Sequence, residues 1–150
     1  TSEYLGEITV SLADVKSIRL IHNSLQIERI VLANQHDGRA LNRWLDTGVM
    51  ITNKTKAFIT AEGKVDLWPQ GPGYIVGPNG YSTPGKGSTF MAGALIGKIG
   101  ESKEFFFIGD KLRMASSYKE LCKGNLYLAI VSNPWENDSD GFYKVVIKEE

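Results

Sequence analysis

The sequence predicts an all-β domain, a sandwich or a barrel, and three observations lead to this class. Apolar residues either alternate with polar ones or run in short blocks. Sixteen glycines indicate many turns. Candidate strands recur about every 8–12 residues without helical patterns between them. We therefore expect no helix longer than about two turns.

Length and charge limit the classes of function. A chain of 150 residues is long enough for one compact domain with a core. Lys plus Arg equal Asp plus Glu, 17 against 17, so no basic field attracts a phosphate backbone. No apolar run approaches the length that spans a membrane, and the single Cys122 excludes an internal disulfide. We predict neither a nucleic-acid partner nor a membrane span.

Residues 1–42 are predicted to form a small antiparallel β segment, because their apolar runs are rich in β-branched residues and are separated by turn formers. The turns are Asn23-Ser24 and Asp37-Gly38. A helix over Val15–Ile30 is the weaker interpretation, which the spacing does not exclude. The predicted strands are Ile8–Leu12, Val15–Ile21 and Leu25–Leu32.

The rest of the chain continues the β pattern, and Ser117–Cys122 is a possible helical turn. The predicted strands there are Val49–Ile51, Ala57–Thr60, Ala94–Ile99, Glu104–Ile108, Lys111–Ala115, Leu126–Val131 and Phe142–Ile147. We expect the core to contain Val10, Ile18, Ile30, Phe58, Leu95, Ile99, Phe106, Leu128, Ile130, Val145 and Ile147.

Residues 69–87, the Gly/Pro-rich segment, contain four of the five prolines, which excludes regular structure there. Loops of more than about 15 residues are uncommon in compact domains and are often functional. Trp68, Tyr74 and Tyr81 lie in or beside the segment. Their flat faces suit sugar rings, or they fix the segment to the core; both interpretations stay open.

Residues 132–141, the acidic loop, contain two Asn, two Asp and one Glu. Such oxygen-rich side chains suit a hard cation such as calcium, and they also accept hydrogen bonds from sugar hydroxyls. A solvated hairpin tip is the plain alternative. An EF-hand is excluded, because its twelfth position would be Ile147 in a predicted strand.

The sequence contains only incomplete motifs for nucleotide binding and for catalysis. Residues 80–87 approach a phosphate-binding loop, but Gly87 stands where the pattern requires Ser or Thr. His22 and His36 are interpreted as surface residues, and Cys122 has no His nearby in sequence. No sequence rule pairs two carboxylates across a glycosidic bond. We therefore predict that the protein is not an enzyme.

Six short segments after about residue 43 follow one another in the order of a known family pattern. They are Leu45–Val49, Gly63–Gly71, Gly77–Gly80, Ala92–Gly100, Gly124–Leu128 and Asn137–Phe142. The most specific parts are the acidic loop and the block Gly93-Ala94-Leu95-Ile96-Gly97-Lys98-Ile99-Gly100. Through these segments, the chain from about residue 43 to the C-terminus resembles the PA-I type, or LecA-like, bacterial galactose-binding lectin domain.

The resemblance implies a jelly-roll β-sandwich, of the galactose-binding-domain-like type, in which a calcium ion bridges protein and sugar. It assigns calcium ligation to the side chains of Asn133, Asn137 and Asp138 and to main-chain carbonyls at Leu67 and Glu136. The same three side chains would touch the sugar. The family's sugar-holding His and Gln fall near Gly80 and Thr83, and Gly80 has no side chain to offer.

We predict a lectin-like carbohydrate-binding module at residues 43–150, calcium-assisted, with an added β-rich segment at residues 1–42. The rival is a structural or protein-interaction β-sandwich without sugar binding. Such modules occur inside larger bacterial proteins, so we expect a secreted, periplasmic or cell-surface protein. Membership of a larger polypeptide and homo-oligomerisation both stay open, as does the sugar.

Overall fold

The computed structural model describes residues 18–21, 24–52, 55–114, 123–135 and 138–149. These residues form two antiparallel β-sheets that face each other across one apolar core, so the predicted all-β sandwich is confirmed. Within the described ranges no α-helix is present, and the short 3-10 helix Leu41–Arg43 is the longest helical element. No helix in these ranges is long and apolar enough to cross a membrane.

The strands are β1 (Ile18–Ile21), β2 (Ser24–Leu32), β3 (Leu45–Ile51), β4 (Ala57–Asp66), β5 (Ile75–Val76), β6 (Leu95–Ile99), β7 (Phe106–Phe107), β8 (Lys111–Arg113), β9 (Gly124–Ile130) and β10 (Asp140–Glu149). The first sheet has the order β1-β2-β10-β4-β5, with β8 also paired to β4, and the second has the order β3-β9-β6-β7. The predicted strands that fall on described residues have counterparts whose ends differ from the prediction. Strand β4 continues past Thr60 because it pairs with β10 along its whole length.

The core lies between the two sheets and is built from alternate residues of their strands. On β10, Tyr143, Val145 and Ile147 are buried while the residues between them face outwards. The predicted core residues that the structure buries are Leu95, Ile99, Leu128, Ile130, Val145 and Ile147.

Three predicted core residues are not buried. Ile30 is 45% exposed because it pairs with Lys144 on the outer face of the first sheet, while its neighbour Val31 faces the core. Phe58 also lies on that outer face, where the guanidinium of Arg113 covers its ring at 4.8 Å. Phe106 is half-buried, since it belongs to an edge strand. Val10, the Ile18 side chain, Ile8–Leu12 and Ser117–Cys122 lie outside what the structure describes.

The N-terminal part of the chain contributes directly to the first sheet. β2 pairs with β10 from Gln26, opposite Lys148, to Leu32, opposite Phe142. β1 in turn pairs with β2. A domain boundary near residue 43 would therefore separate two strands that share a hydrogen-bonded ladder.

Two motifs that carry the lectin resemblance lie opposite each other in the second sheet. β3 and β9 pair with a register shift between Asp46 and Met50, and Gly48 has a φ of 77° within it. The Thr47 hydroxyl donates to the carbonyl of Leu126 at 2.7 Å, and the Asn125 amide donates to the carboxylate of Asp46 at 3.0 Å. The two motifs thus form one β-bulge.

Candidate functional site

The Gly/Pro-rich segment and the acidic loop pack against each other at one end of the sandwich. Gly85 is buried against Val131 and Ser132, and a Cβ at this glycine would overlap the Val131 side chain and the carbonyl oxygen of Ser132. The backbone of Gly85 donates to Phe90, and that of Ala92 donates to Thr83. The segment is therefore held in place by backbone hydrogen bonds to the residues that follow it, and it contains the two-residue strand β5, contrary to the expectation of no regular structure.

Four aromatic rings join the two loops. Trp135 of the acidic loop stacks on Tyr74 with ring centroids 4.8 Å apart, and it lies 5.5 Å from Trp68 and 6.1 Å from Tyr81. Tyr74, Tyr81 and Trp135 pack on the core, and all four rings are half-buried. The contacts favour the interpretation that the rings fix the segment to the core, while each ring keeps an exposed part.

Asp66, at the end of β4, holds the first turn of this region. Its Oδ1 accepts hydrogen bonds from the backbone N–H groups of Trp68 at 2.9 Å and Tyr74 at 3.0 Å. Leu67, which follows Asp66 directly, donates its own N–H to the carbonyl of Tyr74. The aromatic rings are thereby positioned from a sheet strand and not from a free loop.

Among the described residues of the acidic loop, Asn133 is the most buried polar one, at 3% exposure. Its amino group donates to the Leu67 carbonyl at 3.1 Å and to the Ser139 hydroxyl at 2.9 Å. Its Oδ1 accepts the N–H of Trp135 at 2.9 Å. One side chain therefore ties the end of β4 to both ends of the acidic loop.

These hydrogen bonds bear on the calcium shell that the resemblance implies. Leu67 and Asn133 are brought together, but Asn133 turns its amino group towards the carbonyl, and an amino group has no lone pair for a cation. The two residues do not fit a calcium ligand pair as they are arranged. Rotation of the amide would place that amino group against the N–H of Trp135. Within the described ranges, no group of three His, Cys, Asp or Glu is arranged for a metal.

Asp138 is exposed and lies beside a charged cluster that the sequence did not indicate. The buried Asp37 pairs with Arg39 and Arg43, each at 2.7 Å. Arg43 has a raised pKa, chiefly through its hydrogen bond to Asp37 and in smaller part through the charge of Asp138. The guanidinium of Arg43 therefore supplies positive charge next to the acidic loop.

The other predicted site residues are placed as follows. Gly80 has a φ of 89°, and a Cβ there would lie 3.0 Å from the Cβ atoms of Met91 and Ala94, so a glycine is required. Thr83 is half-buried on the strand-like stretch that leads to Gly85. Glu136 and Asn137 lie outside the described residues. The structure thus brings the segment of Gly80 and Thr83 next to the loop of Asn133 and Asp138.

Sequence reasoning missed Trp135 as the centre of the aromatic cluster and Arg43 as the neighbour of Asp138. A tryptophan inside a polar loop was the signal available for the first. Arg43 gave no local signal, because the contact joins positions far apart in the chain.

No family model and no curated protein matches this chain. Among solved structures it is similar to the EclA N-terminal domain, described as a PllA-like lectin. The identity is 17%, the TM-score is 0.60, and the match covers 90% of this chain and 99% of that one. At this identity the likeness establishes a shared fold, and it extends into the N-terminal part of the chain.

Proposed function

We propose that this chain is a non-catalytic carbohydrate-binding module whose site lies where the Gly/Pro-rich segment meets the acidic loop. The observation that carries the proposal is the contact between these two loops, on a fold shared with a lectin domain. Part-exposed aromatic faces and loop oxygens converge there. Together they offer the apolar surface and the hydrogen-bonding groups that a sugar requires.

Asp138 and the aromatic rings have different parts in this site. The exposed Asp138 carboxylate accepts hydrogen bonds from sugar hydroxyls. Tyr81 and Trp135 present their free faces to the apolar side of the sugar ring. Gly80 contributes close approach of the backbone and no side chain, and Thr83 contributes a hydroxyl from the same segment.

Calcium assistance and a galactose-type sugar are the finer parts of the proposal. The ligands would be Asn133, Asn137 and Asp138 with the carbonyls of Leu67 and Glu136, and binding requires Asn133 to exchange its present hydrogen bonds. The single carboxylate and the exposed loop set a modest affinity, about 10⁻⁴–10⁻³ M. A hundredfold excess of calcium over the dissociation constant would stabilise the fold by about 2.7 kcal/mol.

A glycan array tests sugar binding, with wild type, Asp138→Ala and Glu62→Ala as the matched set. Glu62 is an exposed carboxylate in the middle of β4, so its removal changes charge away from the loops. We expect wild type and Glu62→Ala to retain the same sugars and Asp138→Ala to lose them. Absence of any sugar signal for folded wild type would overturn the proposal.

Repeating the array and thermal melting in chelator and in millimolar calcium tests the metal separately. Sugar binding that survives the chelator, with an unchanged melting temperature, would reject calcium and leave the carbohydrate-binding proposal standing. Loss of sugar binding together with a lower melting temperature in the chelator supports the calcium-assisted form.

A structural or protein-interaction domain is the second candidate. One observation favours it: the Asn133 amide closes by hydrogen bonds the position that a bridging cation would take. A blank glycan array together with no response to calcium would favour this candidate.

A further inference from the structure

A second pocket lies on the outer face of the second sheet, away from the core, and we call it the Lys98 pocket. Its volume is about 610 Å³, and it is lined by aromatic and aliphatic side chains together with one buried lysine, Lys98. Two exposed charged residues also line it, Glu101 and Lys103. The residues that matter to its chemistry are Leu41, Trp44, Lys98, Phe105 and Tyr127.

Lys98 is unusual because it is charged and only 5% exposed. It lies in the middle of β6, opposite Tyr127 of β9, and its side chain projects to the face opposite the core. Its Nζ lies 5.0 Å from the ring centroid of Trp44 and 5.3 Å from that of Tyr127. The two rings therefore hold the ammonium by cation–π interactions.

Among the described residues the Lys98 ammonium makes no ion pair and no hydrogen bond. An ammonium carries three donors and no acceptor, and lysines are almost never fully buried unless paired. Aromatic faces offset part of the charge but accept no strong hydrogen bond. The ammonium is thus a buried donor that lines a pocket and lacks an acceptor in the described protein.

The rest of the pocket limits what could supply that acceptor. Phe105 is 41% exposed and its ring lies 4.8 Å from Trp44, so the wall presents apolar surface to solvent. Leu41 is 80% exposed at the rim. Arg39 lies there too, but its guanidinium is already paired with Asp37. The buried Lys98 ammonium acts as a point charge and lacks the forked donors that favour phosphate.

We propose that the Lys98 pocket binds a small carboxylate carried on a ring, with the carboxylate on the Lys98 ammonium and the ring against Trp44 and Phe105. The carboxylate of such a ligand supplies the hydrogen-bond acceptor that the Lys98 ammonium lacks, and its ring covers the exposed aromatic surface. Two sources share this chemistry, namely an aromatic acid and a sugar acid. The site is separate from the two loops, so it does not rest on the proposed function.

The test titrates the folded chain with benzoate and with glucuronate, using benzyl alcohol and glucose as their neutral counterparts, followed by ligand-observed NMR. We expect at least one of the two anions to bind below about 10 mM and its neutral counterpart to bind at least about tenfold more weakly. Benzoate binding shows that the carboxylate is carried on an apolar ring. Binding of glucuronate alone shows that it is carried on a sugar ring. Binding by neither anion, or equal binding of anion and neutral counterpart, would overturn the proposal.

Two variants locate the site. Lys98→Met keeps the length and apolar stem of the side chain and removes the charge, and we expect it to lose about tenfold in affinity for the bound anion. Phe105→Ala removes an exposed ring and should also weaken binding, while Phe142→Ala removes a ring of similar exposure from the other sheet and should not. Unchanged binding in Lys98→Met would overturn the proposal. If a variant fails to fold, the comparison of each anion with its neutral counterpart on the wild-type chain still tests the preference for a carboxylate.

Discussion

The side-chain amino group of Asn133 donates a hydrogen bond to the main-chain carbonyl of Leu67, 3.1 Å away and 66 positions earlier in the chain. This contact holds the acidic loop against the end of β4. It also means that the residue which the resemblance makes a metal ligand acts as a hydrogen-bond donor in this fold. Replacing the amino group of Asn133 by a carboxylate oxygen therefore separates its role in holding the loop from its role as a metal ligand.

Asn133→Asp is expected to lower the free energy of unfolding in chelator by about 1–3 kcal/mol, because a carboxylate cannot donate to the Leu67 carbonyl. Calcium should restore much of this loss, since the new carboxylate supplies the oxygen that the amide turns away. Urea unfolding with and without calcium measures both effects. Asn133→Ala is the control, because it also loses the two donated bonds, loses in addition the bond accepted from Trp135, and gains no ligand. Equal calcium responses of the two variants would contradict the prediction.

Tyr143→Phe should lower the free energy of unfolding by about 1–3 kcal/mol. The buried Tyr143 hydroxyl lies 2.7 Å from the carbonyls of both Gly77 and Gly93, so its removal takes away the one O–H that these carbonyls share. The Gly77 carbonyl keeps the N–H of Gly80 as a donor. Burial also raises the pKa of Tyr143, which keeps the hydroxyl protonated as a donor. Tyr127→Phe is the comparison, and a loss in Tyr143→Phe no greater than in that variant would show that these bonds do not stabilise the fold.

Stability should fall as the pH drops below about 6.5, the ordinary pKa of histidine. Burial and the charge of Arg43 lower the pKa of His36, against the opposing effect of Asp37. The neutral imidazole accepts the N–H of Leu32 on Nδ1 at 2.9 Å. As the pH falls, His36 takes up its proton in the unfolded chain before it does so in the folded chain. The contribution of His36 to stability is therefore fully present above its unfolded pKa, and it is lost as the pH falls towards its lower folded pKa.

His36→Asn should flatten that slope, since asparagine does not titrate. Melting temperatures measured between about pH 5 and pH 7 give the comparison. Asp37 does not interfere in this range: hydrogen bonds from Arg43 and Arg39 outweigh burial and keep its pKa well below the usual value, so its contribution is lost only at more acid pH. An identical pH profile for wild type and His36→Asn would refute the assignment.

Leu128→Ala should lower the free energy of unfolding by about 2–5 kcal/mol, because truncation leaves a cavity in the packed core. Leu128 is fully buried on β9, between β3 and β6. Leu41→Ala, at an 80% exposed position, is the control and should change stability by less than about 0.5 kcal/mol. Chemical denaturation measures both, and a loss below about 1 kcal/mol in Leu128→Ala would count against the packing described above.

Alternation of apolar residues was enough to locate most strands, but it did not decide which face of a strand is buried. β2 carries apolar residues of both parities, such as Ile30 and Val31. Pairing with β10 places Val31 beside Tyr143 on the core side and Ile30 beside Lys144 on the outer side. The face is chosen by a partner strand more than a hundred positions away, so no local pattern could indicate it.

By itself the sequence determined the all-β class, the mostly irregular course of residues 69–87 apart from β5, and the oxygen-rich chemistry of residues 132–141, because these depend on local periodicity and composition. Tertiary structure alone decided that Asn133 donates to Leu67, that Arg43 neighbours Asp138 and that Lys98 is buried between Trp44 and Tyr127. Each of these depends on a partner brought close by sheet pairing or by loop packing. The sequence gives the type of each side chain. Whether that side chain donates a hydrogen bond, binds a metal or is buried away from water depends on the atoms that the fold places around it.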